Sequence, residues 1–265
     1  MQGFNEFLRS LSQKEGSALY DLMGTIGQVC LLLVVVFYLI RMKATWRDWI
    51  KGVMIGIITF FFCISAYHFL TWYRSGFALD AYKQEANLAI SFTLLPLVAW
   101  LCAKTFNTSV GFAGDVAALA SLGFHTFGRS GCLFGTCCYG FPCDWGVYSR
   151  GTEANQFPVS LVESLFTLAI LIFVICRICR KGYSPDGKNL PWFLLLYGTC
   201  RFFSEMTRES TRSFWLFWRI SDVHIHMVVM AAVGGWLLWR IYQADKREKE
   251  SFGSAVLPTL KGRRK

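Results

Sequence analysis

Leu19 to Ile40 reads LYDLMGTIGQVCLLLVVVFYLI, and its second half is an unbroken run of Leu, Val, Phe, Tyr and Ile. About 20 mostly apolar residues at ~1.5 Å rise cross the ~30 Å hydrocarbon core of a bilayer. A helix on the surface of a soluble protein would be apolar on one stripe only, whereas this one is apolar around its circumference. Working outward, Gly52–Leu70, Leu88–Ala103, Val159–Cys176 and Val223–Ile241 repeat the pattern. Two weaker stretches remain. Val110–Phe127 carries Asp115 and His125, and Leu190–Glu205 is short and ends in charge, so both belong inside a bundle rather than against lipid. The expectation is an all-α, polytopic membrane helix bundle of about seven transmembrane helices.

Composition agrees. Of 265 residues 54% are apolar and 17% charged, with 24 Phe and 10 Trp, which excludes a disordered chain, a collagen-like repeat and a small disulfide scaffold. Net charge is +10, but eight of the 27 basic residues lie between Arg240 and Lys265. Charge gathered in a tail argues against a nucleic-acid partner, which needs it spread over a folded face. The loop after the first span holds Arg41, Lys43, Arg47 and Lys51, and the loop after the fifth holds Arg177, Arg180, Lys181 and Lys188. The positive-inside rule makes both cytoplasmic, which puts the N-terminus outside and the C-terminus in the cytoplasm. Only the loop with Arg208, Arg212 and Arg219 breaks the trend, partly neutralised by Glu205, Glu209 and Asp222. The first span follows an 18-residue polar lead with Glu6 and Glu15 and no small-residue cleavage site follows it, so it is expected to be a mature helix and not a signal peptide. Residues 1–244 form one transmembrane domain on this reading, and 245–265 a basic cytoplasmic tail, disordered or lying on anionic lipid.

Three groups of residues sit awkwardly in a membrane. The first is the run from His125 to Gly140, where Gly128, Gly131, Gly135 and Gly140 predict an irregular loop, since each glycine costs a helix ~1 kcal/mol against Ala. Within it Arg129 either snorkels to the interface or offers a phosphate its bidentate fork. The second is Tyr197, Arg201, Glu205 and Arg208, whose spacing sets them on one helical stripe. That stripe reads as a structural ion pair between helices or as half of an anion site shared with Arg129. Glu163, just after Phe157-Pro158, must pair with an arginine or act as a base. The third is Cys132, Cys137, Cys138 and Cys143, which lack the C-x2-C knuckles of zinc sites. No metal is expected. The cysteines read first as small polarizable side chains packing a tight turn, with room for a disulfide on the outer side, and second as a disulfide relay. His68, His224 and His226 are read as interfacial.

With these residues laid out, the chain resembles the prolipoprotein diacylglyceryl transferases, bacterial membrane enzymes of lipoprotein maturation. Gly128-Arg-Ser-Gly-Cys-Leu-Phe-Gly-Thr-Cys-Cys-Tyr-Gly140 is similar to the family signature Gly-Arg-x-Gly-Asn-Phe-x-Asn-Gly-Glu-x-x-Gly, Phe157-Pro-Val-Ser-Leu-Val-Glu163 to His-Pro-x-Gln-Leu-Tyr-Glu, and Tyr197-Gly-Thr-Cys-Arg-Phe-Phe-Ser-Glu-Met-Thr-Arg208 to Tyr-x-x-x-Arg-x-x-x-Glu-x-x-Arg. The resemblance implies catalytic roles for Arg129, Tyr197, Arg201 and Glu205, with substrate contacts from Arg129, Tyr139, Gly140, Glu163 and Arg208. It differs in that Cys132 and Gly135 stand for the signature asparagines, Cys137 for its glutamate and Phe157 for the histidine, and in lacking the family's His-Gly-Gly motif. His125 is the nearby substitute for a histidine base. What the resemblance implies is transfer of the diacylglyceryl group of phosphatidylglycerol to the thiol of a prolipoprotein's lipobox cysteine, in the bacterial inner membrane, with membrane lipids and the lipobox segment as partners and no cofactor. The alternatives are a transporter of lipids or anionic solutes, for which no repeat symmetry is visible, and a divergent member acting on another acceptor.

Overall fold

The computed structural model describes residues 2–74, 91–135, 138–149, 152–181, 186–208 and 222–261. Within them lie helices α1 (Gln2–Arg41), α2 (Trp46–Arg74), α3 (Leu95–Thr105), α4 (Val110–Gly131), α5 (Val159–Lys181), α6 (Asn189–Met206) and α7 (Asp222–Lys261), and strands β1 (Pro142–Ser149) and β2 (Ala154–Gln156). Among the described residues five segments are long and apolar enough to cross a membrane: Gln13–Arg41, Trp46–Ala66, Val110–Gly131, Val159–Arg180 and Val223–Glu248. The third expected span, from Leu88, begins outside the described residues, and its described part, from Ser91, runs into the 11-residue α3.

Helix α4 is the axis of the bundle, packed against α1, α2, α3, α5 and α6. Its composition explains the position. Ala113, Gly114, Ala117, Ala118, Ala120 and Gly123 are small, and where lipid tails are as apolar as any side chain, close backbone approach is what holds helices together. The peripheral helices turn their large apolar residues outward, Leu33 and Phe61 and Val228 among them.

The glycines at the end of α4 do not make the loop expected of them: the helix runs through Gly128 to Gly131. A Cβ on Gly123 would lie 2.7 Å from Leu31 Cα, one on Gly131 3.1 Å from the Tyr20 carbonyl, and one on Gly27 of α1 2.7 Å from the Phe124 carbonyl. These glycines let α1 and α4 pack backbone to backbone, and the contact offsets their poor helix propensity.

Asp115 is buried in α4 as expected, and its carboxylate accepts from Tyr38 Oη of α1 at 2.9 Å and from the Asn189 amide of α6 at 3.0 Å. Asn189 opens α6, so the carboxylate also meets the positive end of that helix. The basic residues expected on one face gather at this end: Arg41 donates to the Cys179 carbonyl at 3.0 Å and Arg177 to Asn189 Oδ1 at 3.1 Å. Lys188 pairs with Asp245 and stands 4.4 Å over the Tyr242 ring. Helix α7 continues to Lys261, its start into the tail held by Lys188.

At the opposite end β1 and β2 form an antiparallel hairpin, a small addition to the all-helical expectation. Phe141 N–H donates to the Thr207 carbonyl at 3.1 Å and Phe157 N–H to the Phe141 carbonyl at 3.0 Å, while Gly140 bridges Arg208. The hairpin base is thereby tied to the end of α6.

Candidate functional site

Three helices converge beside that hairpin. Arg129 stands on the last turn of α4, Glu163 on the second turn of α5, and Tyr197, Arg201 and Glu205 on successive turns of α6, with Arg208 just past its end. All are brought to one end of the bundle, the condition for a common site.

Glu163 sits at the centre. One carboxylate oxygen accepts from Arg129 Nε, the other from Arg201 and, at 3.1 Å, from Ser204 Oγ. Arg201 also meets Glu205 at 2.6 Å, and Arg208 Nε approaches the same glutamate at 3.7 Å. Glu163, Arg201 and Glu205 are 2–4% exposed. Charges this deep persist only when paired and hydrogen-bonded. A carboxylate thus lies between Arg129 and Arg201, the arrangement of a structural ion pair, yet it does not use all the donors of Arg201. Among the described residues no acceptor meets Arg201 Nε or the buried Arg208 NH2 nitrogen. Among the described residues three guanidinium groups face two carboxylates. A buried arginine cluster with donors to spare suits an oxyanion.

His125 lies one turn below Arg129, 4% exposed, with Nε2 at 2.9 Å from Tyr197 Oη and its ring edge-on to Phe92. The hydrogen bond and the aromatic wall hold both side chains in place at the floor of the site. Gly140 is close to the chain's own backbone: a Cβ there would lie 2.6 Å from the Phe157 carbonyl, which is why the hairpin base accepts only glycine. Tyr139 is not in the ion cluster. It lines a cavity under the hairpin with Cys132, Cys138, Tyr148, Gln156 and Phe157.

Arg129 reaches that cavity. Its NH1 lies 3.2 Å from Cys138 Sγ and 3.9 Å from Cys132 Sγ. Cys137 lies outside the described residues, as do Arg212, Arg219 and Glu209. Among the described residues no group of three or more His, Cys, Asp or Glu has the arrangement of a metal site. His224, expected at the interface, is instead 2% exposed and packs edge-on against Phe202 of α6 at 5.1 Å. Sequence reasoning also missed Ser204. Its only signal was a position one turn past Arg201 on the same stripe.

The family model described as prolipoprotein diacylglyceryl transferase matches residues 18–240. Among curated proteins, phosphatidylglycerol–prolipoprotein diacylglyceryl transferase 2 of Clostridium perfringens (strain 13 / Type A) is 28% identical over 134 residues, 46% of this chain and 49% of that protein. The phosphatidylglycerol–prolipoprotein diacylglyceryl transferase of Aliarcobacter butzleri (strain RM4018) is 28% identical over 117 residues, 43% of this chain and 41% of that protein. That of Thermosynechococcus vestitus (strain NIES-2133 / IAM M-273 / BP-1) is 24% identical over 174 residues, 61% of this chain and 64% of that protein. The chain thus spans about half the length of the curated relatives it matches.

Proposed function

The chain belongs to the prolipoprotein diacylglyceryl transferase family, and from that premise we propose that it transfers the diacylglyceryl group of phosphatidylglycerol to the thiol of a prolipoprotein's lipobox cysteine. The observation that carries the reading is the buried cluster of Arg129, Glu163, Arg201, Glu205 and Arg208, in which, among the described residues, Arg201 Nε and an Arg208 nitrogen meet no acceptor. A phosphodiester brings one negative charge and two free oxygens to such a site.

In the reaction the acceptor sulfur forms a bond to the terminal glycerol carbon of the diacylglyceryl unit. The bond from that carbon to the phosphate oxygen breaks, and glycerol phosphate leaves with the electron pair. Negative charge grows on the leaving group, where preplaced donors in a water-poor cavity stabilise it most. Arg201 and Arg208 supply those donors. Glu163 keeps Arg129 and Arg201 at a fixed separation, Glu205 orients Arg201 against Arg208, and Tyr197 with His125 forms the floor on which the phosphate rests. Tyr139 and Gly140 belong to the acceptor's side of the site.

Incubating purified protein in detergent with phosphatidylglycerol and a lipobox peptide is expected to raise the peptide mass by one diacylglyceryl unit. An unchanged peptide mass with folded protein would sink the reading.

We also place seven crossings in the bacterial inner membrane, with the N-terminus and the hairpin outside and residues 245–265 in the cytoplasm. Support comes from the clustering of Arg41, Arg177 and Lys188 at the end opposite the hairpin. A reporter active only outside the cell should work when fused after Asp144 and fail after Gly187 or at the C-terminus. The reverse pattern would refute the orientation and the substrate side with it.

A further inference from the structure

A thiol must lose its proton before it can attack carbon, and the ion cluster leaves that step without an owner. Glu163 and Glu205 are committed to arginines. His125 Nε2 is committed to Tyr197, and the ring is enclosed by Phe92. Carboxylates are also poorly matched to the task, since their ordinary proton affinity lies about four pH units below that of a thiol.

One group at the site has the proton affinity of a thiol and faces the cavity. Cys138 is half-buried, lines the cavity under the hairpin, and stands 3.2 Å from NH1 of Arg129, whose Nε holds Glu163. A charged N–H donor beside sulfur stabilises the anion. Proton exchange between a thiolate and a thiol is close to thermoneutral, the condition under which general-base catalysis is most effective.

We propose that Cys138 takes the proton of the incoming acceptor thiol, which enters through the cavity lined by Cys132, Cys138, Tyr139, Tyr148 and Gln156. The inference rests on the transfer reaction above. The acceptor S–H bond breaks and its proton moves to Cys138 Sγ. The acceptor sulfur then bonds to glycerol carbon as the carbon–oxygen bond to phosphate opens toward the arginines.

Two measurements test it. In the phosphatidylglycerol and lipobox-peptide assay, Cys138→Ser is expected to lower kcat by roughly 10²–10⁴-fold, the usual worth of a general base, with KM for phosphatidylglycerol unchanged. Cys138→Asp should recover part of the rate, with the ascending limb of the pH profile moved to lower pH. Serine turnover equal to that of the parent would overturn the proposal while leaving the transfer reading intact. The second measurement needs no turnover. Iodoacetamide labelling followed by peptide mass spectrometry should find Cys138 the fastest-reacting cysteine of the hairpin region and roughly tenfold slower in Arg129→Gln. Equal rates in the two proteins, or Cys138 recovered in a disulfide, would overturn it. Labelling as expected in a protein that transfers nothing would defeat the transfer reading, and the base role with it.

Discussion

Arg201→Ala is expected to abolish diacylglyceryl transfer, a loss of roughly 10³-fold or more, and to destabilise the protein as well. From sequence alone this arginine and Arg129 could be assigned to the phosphate and spared any structural duty, which predicts a folded but inactive variant. The geometry changes that. Arg201 joins Glu163 to Glu205 from a position 2% exposed, so its removal leaves two buried carboxylates short of a partner. Breaking a buried pair from one side costs about 3–5 kcal/mol. The cleaner variant is Arg201→Lys, which keeps the charge between the glutamates but gives up the second fork of donors. It should remain monodisperse in detergent with a thermal midpoint within a few degrees of the parent, yet turn over roughly a hundredfold more slowly. Glu163→Gln is the reciprocal case: it keeps shape, removes one negative charge and leaves the cluster more cationic. It should hold phosphatidylglycerol as tightly or more tightly while losing turnover, because Arg129 and Arg201 then lose the charge that fixes their separation. Arg201→Lys with full activity would refute the assignment of its donors to the leaving group.

Much of this was legible in the chain, for reasons that differ by residue. A long apolar run needs no partner to be read, so Leu19–Ile40, Val159–Cys176 and Val223–Ile241 correspond to membrane-capable segments of the structure. Helix α6 was legible despite its length, because Tyr197, Arg201, Glu205 and Arg208 fall at turn spacing and buried charge has to be shared. Asp115 and His125 could be sent to the bundle interior on cost alone. What stayed hidden depends on neighbours distant in sequence. The glycines of α4 look like a loop until α1 lies against them. The hairpin pairs residues such as Tyr148 with Asn155 over too short a span to leave an alternating pattern. The Cys138 contact with Arg129 arises from the loop folding back over the end of its own helix, which no spacing of cysteines encodes.

The glycine contact carries the second large expectation, Gly123→Leu. A Cβ at Gly123 would lie 2.7 Å from Leu31 Cα and 2.9 Å from Leu31 N, both backbone atoms, so no side-chain rotation relieves the overlap and α1 must move away from α4. Overpacking a tight interior commonly costs about 1–3 kcal/mol, and a clash against backbone belongs at or above the top of that range. For a chain of this size that corresponds to a fall of roughly 6–12 °C in thermal midpoint, read by fluorescence-detected size exclusion after heating in detergent. Gly24→Leu on α1 is the control, since a Cβ there meets nothing within 4 Å, and it should shift the midpoint by no more than a degree or two. Helix α4 also carries His125 and Arg129 less than two turns beyond Gly123, so displacing it moves the floor and one arginine of the site together. Gly123→Ala makes the smallest such displacement and should cost turnover out of proportion to stability. Equal thermal midpoints for Gly123→Leu and Gly24→Leu would show that the close approach of α1 and α4 does not hold the bundle, and with it would go the reason for reading these glycines as packing rather than loop.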